Sequence, residues 1–472
     1  MIDTKAIRAQ ILRLAFSAQL TTHHDGDDDI TALLSSINPK KNIEQTEDIP
    51  YKIPDYWKWV KLSDLYEINP KVEADNNADA AFIPMEKISA GFERTFSFEV
   101  MNWEKAAKNH TKFQNGDVAF AKISPCFENR KSFVAENLPN SIGGGTTELI
   151  VLRQKYVYPL FTYYLVNDQR FIKAGSGSYK GIVGQQRVKS DIIKNYLIPL
   201  PPLAEQKRIV ERVEEIFRVL DTIDEAQEKY SADVESLRSK LITAGIQGRL
   251  TQQLDTDGTA EELYQQIQAE KQKLIKEGKL KKEKPLPPIS PEEIPFEIPG
   301  NWKWVRMKEI SFKITDGTHH SPINTDSGDY MYVTAKNIKD KGVDLSNITY
   351  VSKEVHDEIY ARCNPELNDV LLIKDGATTG VVTVNDIDEP FSLLSSVALI
   401  KPVHEFVEPW YIAYVLRSSL FYKTIRAQMT GTGITRIVLR QIEPFIVPLP
   451  PLAEQKRIAD VLEKALGAID KG

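Results

Sequence analysis

Pro199–Ile209 reads PLPPLAEQKRI, and Pro448–Ile458 reads PLPPLAEQKRI again, 249 positions later. Chance does not produce an identity of this length, so the 472-residue chain contains an internal repeat with a period near half its length. Outward from these segments the match widens. DIPYKIPDYWKWV (Asp48–Val60) returns as EIPFEIPGNWKWV (Glu293–Val305). Between the markers, GDVAFAKI (Gly116–Ile123) stands against NDVLLIKD (Asn368–Asp375), both short β-type runs. Each half therefore runs in one order: a Trp-bearing opening, a mixed α/β body, a glycine-containing loop, a proline-rich exit and a helix.

Beyond the first proline motif, Ile209, Val213, Ile216, Leu220, Ile223, Tyr230, Val234, Leu237, Leu241 and Ala244 alternate in steps of four and three, broken only at Gln227. This heptad seam predicts a long helix from Leu203 to Leu250, packed against another helix. At ~1.5 Å per residue its length is on the order of 70 Å. The prolines ahead of it suit a helix's first turn, and Glu205 suits its positive end. After the second motif, Ile458, Leu462, Ala465 and Ile469 keep the same register before the chain ends. The missing remainder lies at the other terminus: ILRLAFSAQLT (Ile11–Thr21) parallels KLITAGIQGRLT (Lys240–Thr251), with Ile7, Ile11, Leu14 and Ala18 as the predicted seam.

The chain thus reads as a circularly permuted duplication. Residues 1–21 form an N-terminal helix that completes the distal repeat, 48–198 the first body, and 199–251 the central helix. A linker over 252–292 has a helix predicted at Ala260–Lys276 and then a Lys/Pro-rich stretch. The second body spans 293–447 and the C-terminal helix 448–472. The fold class is mixed α/β bodies in tandem pseudo-twofold repeat, separated by long coiled-coil helices.

Composition narrows the function. A net charge of −6 argues against a non-specific nucleic-acid coat, so any DNA contact must come from locally basic surface. Cys126 and Cys363, the only cysteines, have no ligand spacing around them, which points away from disulfides and zinc and towards a reducing cytoplasm. The charged start MIDTKAIRAQILRLAF is wrong for a signal peptide, and no apolar run is long enough to span a bilayer. No phosphate-binding G-x-x-x-x-G-K-[ST], no [DN]-P-P-[YF], no G-x-S-x-G and no H-E-x-x-H occurs. The sequence offers no catalytic constellation and no metal site.

It does offer polar, basic loops in matching places. The first body's strand ending at Ile123 runs into SPCFENRKSF, grouping Lys122, Ser124, Asn129, Arg130 and Lys131; Lys87 is counted with them. The second body answers with Lys374, Thr378 and Thr379, preceded by TDGTHHSP, with Thr318, His319 and His320, and by Lys336 and Asn337. Near each body's end, KAGSGSYKGIVGQQRV (Lys173–Val188) carries Lys180 and Arg187, and TGTGITRIVLRQI (Thr430–Ile442) carries Thr432 and Arg436. Arg, Lys, Asn and Thr on such loops read base edges or hold phosphates. Ordinary chain reversal explains the same loops, and the adjacent histidines suit hydrogen bonding better than a metal.

The Trp opening, the divergent bodies and the PLPPLAEQKRI exit into a helix ending near AGIQGRLT, all present twice, resemble the specificity subunits of type I restriction–modification systems. The resemblance covers nearly the whole chain. It implies a non-catalytic subunit in which each body is a target recognition domain reading one half of a bipartite double-stranded DNA site. The helices, through Ile209, Val213, Ile216, Leu220, Ile223, Val234, Leu237, Leu241, Ile458 and Leu462, would set the spacer and dock two methyltransferase subunits. Those partners would carry S-adenosylmethionine, and separate motor and restriction subunits would use ATP with magnesium. The competing reading is a coiled-coil adaptor of another assembly that does not touch DNA; a nuclease or methyltransferase in its own right has no residues to carry it.

Overall fold

The structure, a computed structural model, describes residues 1–31, 34, 49–154, 156–180, 186–282, 284–427 and 436–471. The chain divides into two compact units, Met1–Lys229 and Tyr230–Gly472. Each mixes helix and strand, and the division falls inside one continuous helix.

In the first unit, helix α1 (Thr4–Ala15) precedes ten strands: β1 (Lys58–Lys61), β2 (Tyr66–Ile68), β3 (Asp79–Ile83), β4 (Glu99–Asn102), β5 (Thr111–Gln114), β6 (Val118–Ala121), β7 (Ser132–Val134), β8 (Ile142–Gly145), β9 (Leu149–Gln154) and β10 (Leu197–Leu200). Helices α2 (Pro159–Val166) and α3 (Gln169–Ser176) lie between β9 and β10, and α4 (Leu203–Ile246) follows. One antiparallel sheet has the order β2-β9-β6-β7; a second, β4-β3-β8-β5, pairs β3 with β8 in parallel. Every residue of β6 and β7 is buried, as the unbroken apolar run of β6 requires of a strand covered on both faces; Ser132 of β7 is buried with a hydrogen bond from Asn167.

Among the described residues strand β1 pairs only with β10, placing Trp59 opposite Pro199. This ribbon is why the Trp opening and the proline exit recur together in the sequence: they are the two strands of one element. Immediately after it, Glu205 and Gln206 are fully buried at the start of α4. The Glu205 carboxylate accepts the Trp57 indole N–H at 2.9 Å and the Thr21 hydroxyl at 3.1 Å. Gln206 accepts the Tyr158 amide and donates to the Pro201 carbonyl, both at 2.9 Å, while Arg208 makes a two-pronged pair with Asp27 at 2.7 and 2.6 Å.

The same contacts are built in the second unit, which takes in α4 from Tyr230 onward. Its strands are β11 (Lys303–Arg306), β12 (Ser311–Asp316), β13 (Tyr330–Val333), β14 (Ile338–Lys339), β15 (Gly342–Val343), β16 (Thr349–Val351), β17 (Val370–Ile373), β18 (Val382–Val384), β19 (Ser392–Leu393), β20 (Val397–Pro402) and β21 (Ile446–Leu449). Helices are α5 (Ala260–Lys276), α6 (Lys353–Arg362), α7 (Pro409–Arg417), α8 (Ser419–Ala427) and α9 (Leu452–Ile469). Sheet orders are β12-β20-β17-β18 and β16-β13-β19, and β11 pairs with β21, with Trp304 opposite Pro448. Glu454 accepts Trp302 at 2.9 Å and Thr251 at 3.0 Å; Gln455 accepts the Glu408 amide and donates to Pro450; Arg457 grips Asp257. Eleven residues are repeated because Glu, Gln and Arg each have a fixed structural duty in both units.

Each unit pairs two helices, and the seams drawn from the sequence need local corrections. In the first unit α1 runs antiparallel to α4: Thr4 meets Asp224 near one end and Thr21 meets Glu205 near the other. Its buried face is Thr4, Arg8, Leu12 and Ala15, one position off the seam drawn through Ile7, Ile11, Leu14 and Ala18. Arg8 takes the inward place because Asp221 and Asp224 receive its guanidinium at 2.5 and 2.8 Å, and Ala18 lies past the helix at φ 55°. In the second unit the end of α4 packs on α9, where Gly245 abuts Ile458 and Leu462. Helix α4 ends at Ile246, short of Leu250, because Gly248 turns the chain at φ +69° against Pro299 and Trp302.

Along the α4 seam, Ile209, Val213 and Leu220 are buried, and Ile216 and Ile223 pack against the same core. Val234 is half-buried and Leu237 is 47% exposed. Ile458 and Leu462 are fully buried, and Leu241 packs beside them. Helix α5 is no free spacer: Leu263 and Ile267 enter the second unit's core, and Lys271 caps the carbonyls of Lys308 and Ser311 at 2.8 Å. The proline stretch after it is held by Arg306, which donates to the Pro287 carbonyl at 2.8 Å.

Candidate nucleic-acid interface

Both bodies converge on one kind of junction, where a buried central strand ends and a returning loop is stitched to it. In the first unit the amide of Lys122, just past β6, donates to Glu148, and the Lys122 carbonyl accepts from Val188 at 2.9 Å. In the second, the Lys374 amide, just past β17, donates to Ser396, and its carbonyl accepts from Ile437 at 2.7 Å. Lys122 and Lys374 are thus backbone equivalents, as are Arg187 and Arg436.

Their side chains do different things. Lys122 is half-buried beside Glu148, whose carboxyl is held below its usual range by the Arg187 hydrogen bond first and by the charge of Lys122 among the lesser causes. Arg187 sits exposed on that loop and grips Glu148 with Nη2 at 2.7 Å and Nε at 2.9 Å. Lys374, expected to reach DNA, is instead 2% exposed and turned inward to Asp316 at 3.2 Å. Desolvating an ammonium is tolerated only beside such a partner. Arg436 is exposed and lies 3.4 Å from Asp375.

Around the first junction, Phe127, Asn129 and Arg130 close a compact turn after Ser124, with Asn129 and Lys180 exposed. Ser124 is tied to Glu128 at 3.0 Å. Lys87 pairs with Glu99 at 2.8 Å, and Lys131 donates to the Met85 carbonyl at 2.8 Å, which brings Lys87, Asn129 and Lys131 into one neighbourhood. Arg130 departs from the expected outward role: it donates to the Asn167 carbonyl, lies 5.2 Å from the Phe92 ring centre, and is lowered in pKa by burial. It buttresses the turn from behind.

Around the second junction, Asp316 is the organising residue. Its two oxygens meet Lys374 on one side and Arg362 at 2.5 Å on the other, with His319 at 3.3 Å. Gly317 follows because a Cβ there would lie 1.8 Å from the Leu393 carbonyl oxygen, and this close approach lets the Thr318 amide bond Leu393 at 2.8 Å. The loop is thereby fixed with His319 and His320 exposed and Thr318 half-buried. Lys336 and Thr378 are exposed, and Thr379 folds back onto Gly376 at 2.7 Å. Asn337 is turned inward, 1% exposed, capping Thr334 and donating to Asp344. Thr432 lies outside the described residues.

Asp316, Arg362 and Glu148 escaped the sequence reading. Asp316 was within sight as the acid ahead of the Gly-Thr-His-His run; Arg362 and Glu148 had no motif to mark them. Among the described residues, His23, Asp27 and Glu205 form a cluster of metal-ligand type, but Asp27 already serves Arg208, and Glu205 serves Trp57 and Thr21. Among the described residues no helix is long and apolar enough to cross a membrane.

The family model for the type I restriction modification DNA specificity domain matches residues 54–230 and 299–471. The chain is 30% identical to the EcoAI type I restriction enzyme specificity subunit of Escherichia coli, over 99% of this chain and 90% of that one. It is 28% identical to the EcoEI specificity subunit of the same organism, with the same coverage. A solved structure described as underlying complex assembly and conformational transition of the type I R-M system contains a chain 21% identical to this one. It covers 89% of this chain and 93% of that one at a TM-score of 0.58, a likeness of fold.

Proposed function

The chain belongs to the type I restriction–modification DNA specificity family, and on that premise we propose how its residues divide the work of recognition. It is a DNA specificity subunit with two tandem recognition domains. The loops at the two junctions are the reading surfaces: Asn129, Lys180 and Arg187 in the first body, and His319, His320, Lys336, Thr378 and Arg436 in the second. Exposed cations among them take phosphates, while Asn, Thr and His meet base edges. The observation that carries this reading is the pair of equivalent Lys122 and Lys374 junctions, identical in backbone hydrogen bonding and unlike in side chains. One frame presenting two different loops is what two different half-sites need.

The subunit does no chemistry of its own in this proposal. Two methyltransferase subunits dock along the helices and bring S-adenosylmethionine, motor and restriction subunits bring ATP and magnesium, and the assembly works in the cytoplasm. Selection from a random duplex library with the co-purified complex tests it. Two short specified blocks at constant separation are expected. An intact complex that enriches nothing would favour the adaptor instead.

A further inference from the structure

The two units differ where the helix pair meets the body. In the first, Ile88 bridges Phe96 across seven intervening residues, and from that turn Phe92 packs edge-on against Phe217 of α4 at 5.3 Å. Arg94, two positions on, meets Glu214 at 2.5 Å, and Tyr164 stands 5.7 Å from Phe217. In the second unit the matching turn, between Ile338 and Val343, has four intervening residues, KDKG, with no aromatic among them.

The repeat spacing puts Tyr414, Glu463, Leu466 and Gly467 where the first unit has Tyr164, Glu214, Phe217 and Arg218. A shorter turn and two smaller helix residues leave a cavity of about 750 Å³ wholly within the second unit. Its volume falls in the ~300–1,000 Å³ span typical of binding sites. Ile242, Trp410, Tyr414 and Leu466 supply apolar wall, and Glu463 stands at it with no ion pair among the described residues. Its counterpart Glu214 has Arg94.

We propose that this cavity receives a segment of a partner protein presenting an aromatic side chain followed two positions later by Arg or Lys. Phe92 and Arg94 fill the same place from within in the first unit, so the cavity's shape and its unpaired acid match an occupant already present in this molecule. Aromatic anchors beside an arginine are also the side chains on which interfaces most often depend. The rim also carries Arg238, Lys341 and Arg417; Asp470 is paired with Arg238 and Lys341, which leaves Asp340 and Glu463 as its acids without an ion pair among the described residues. The proposal rests on the reading of the chain as one subunit of a larger assembly, but concerns a site away from the DNA loops.

The test uses the full chain and a fluorescein-labelled peptide of its own residues 87–97, KISAGFERTFS, read by polarisation. Saturable binding is expected, weakened at least ~10-fold, one decade in Kd, by Phe92→Ala or Arg94→Glu in the peptide or by Glu463→Arg in the chain. Pairing the Arg94→Glu peptide with the Glu463→Arg chain should restore it. Replacing Lys339–Gly342 by SAGFERT should plug the cavity and abolish binding. No saturation by about 1 mM peptide, indifference to the peptide's Phe and Arg, or displacement of the peptide by a DNA duplex overturns the proposal. The peptide variants keep the test independent of whether any chain variant folds. Failure here leaves the duplex selection intact, and failure of that selection leaves the peptide result readable.

Discussion

The indole N–H of Trp302 is bonded to the buried carboxylate of Glu454 at 2.9 Å across 152 residues of chain, joining the opening of a body to the helix that leaves it. Glu454→Ala removes the acceptor for Trp302 and for Thr251, and an unsatisfied buried donor costs about 1–3 kcal/mol. The expected loss is about 2–4 kcal/mol in urea unfolding, with Glu454→Gln milder because one oxygen remains. Glu205→Ala should behave alike in the first unit, and the two losses should add, since the sites share no partner. A loss below about 0.5 kcal/mol would place both acids among ordinary surface residues.

Lys374→Met and Lys180→Ala should separate structure from recognition. Lys374 is buried on Asp316, so its loss should destabilise the second unit, tempered by the Arg362 pair that remains. DNA affinity should then fall with folded fraction alone. Lys180 is exposed, and its loss should lower the salt dependence of binding, log K against log salt, by about 1 for one phosphate contact. Fluorescence anisotropy over a salt series reads both. An unchanged slope for Lys180→Ala would remove that residue from the interface.

These contrasts mark what the sequence could reveal. The Trp and proline motifs were legible because their strands pair with each other, so the constraint on one is printed beside the constraint on the other. That α4 packs on another helix was legible in its heptad seam, and the matching Thr21 and Thr251 bond equivalent acids, Glu205 and Glu454. The face of α1 was not: a heptad reading assigns apolar residues inward, and Arg8 goes there because Asp221 and Asp224, more than two hundred positions away, neutralise it. Lys374 failed for the same reason, since only folding brings Asp316 to it. Charged residues on a loop show that cations are present, and their direction is set by distant acids.

Acid should loosen the helix attachments. The Arg208 hydrogen bond is the leading cause that takes the Asp27 carboxyl down to about 2, and Lys341 with Arg238 does the same for Asp470, also to about 2. Both lie below the value of ~3.9 typical of an unfolded chain. Their contribution to stability is therefore complete above about pH 4 and disappears as pH falls towards 2. The urea midpoint should drop across that window, and Asp27→Asn should be less stable at pH 6 yet show a shallower drop. Parallel pH curves for variant and parent would refute the assignment.

Glu148 restrains Arg187, an exposed cation of the first junction. Its paired oxygens hold Arg187 at 2.7 and 2.9 Å, so in the proposed interface the guanidinium would meet DNA already oriented and half-neutralised. Glu148→Gln should release a positive charge at the reading surface. Affinity for unrelated duplexes should then rise and the salt slope steepen by about 1, while discrimination against substitutions in the first body's half-site narrows. The other half-site should be read as before, because the second junction pairs Arg436 with Asp375 on its own loop. Competition binding with duplexes altered in one half-site at a time distinguishes these effects. If both half-sites lose discrimination equally, the two bodies do not read independently; if neither changes, Arg187 orientation is irrelevant to recognition.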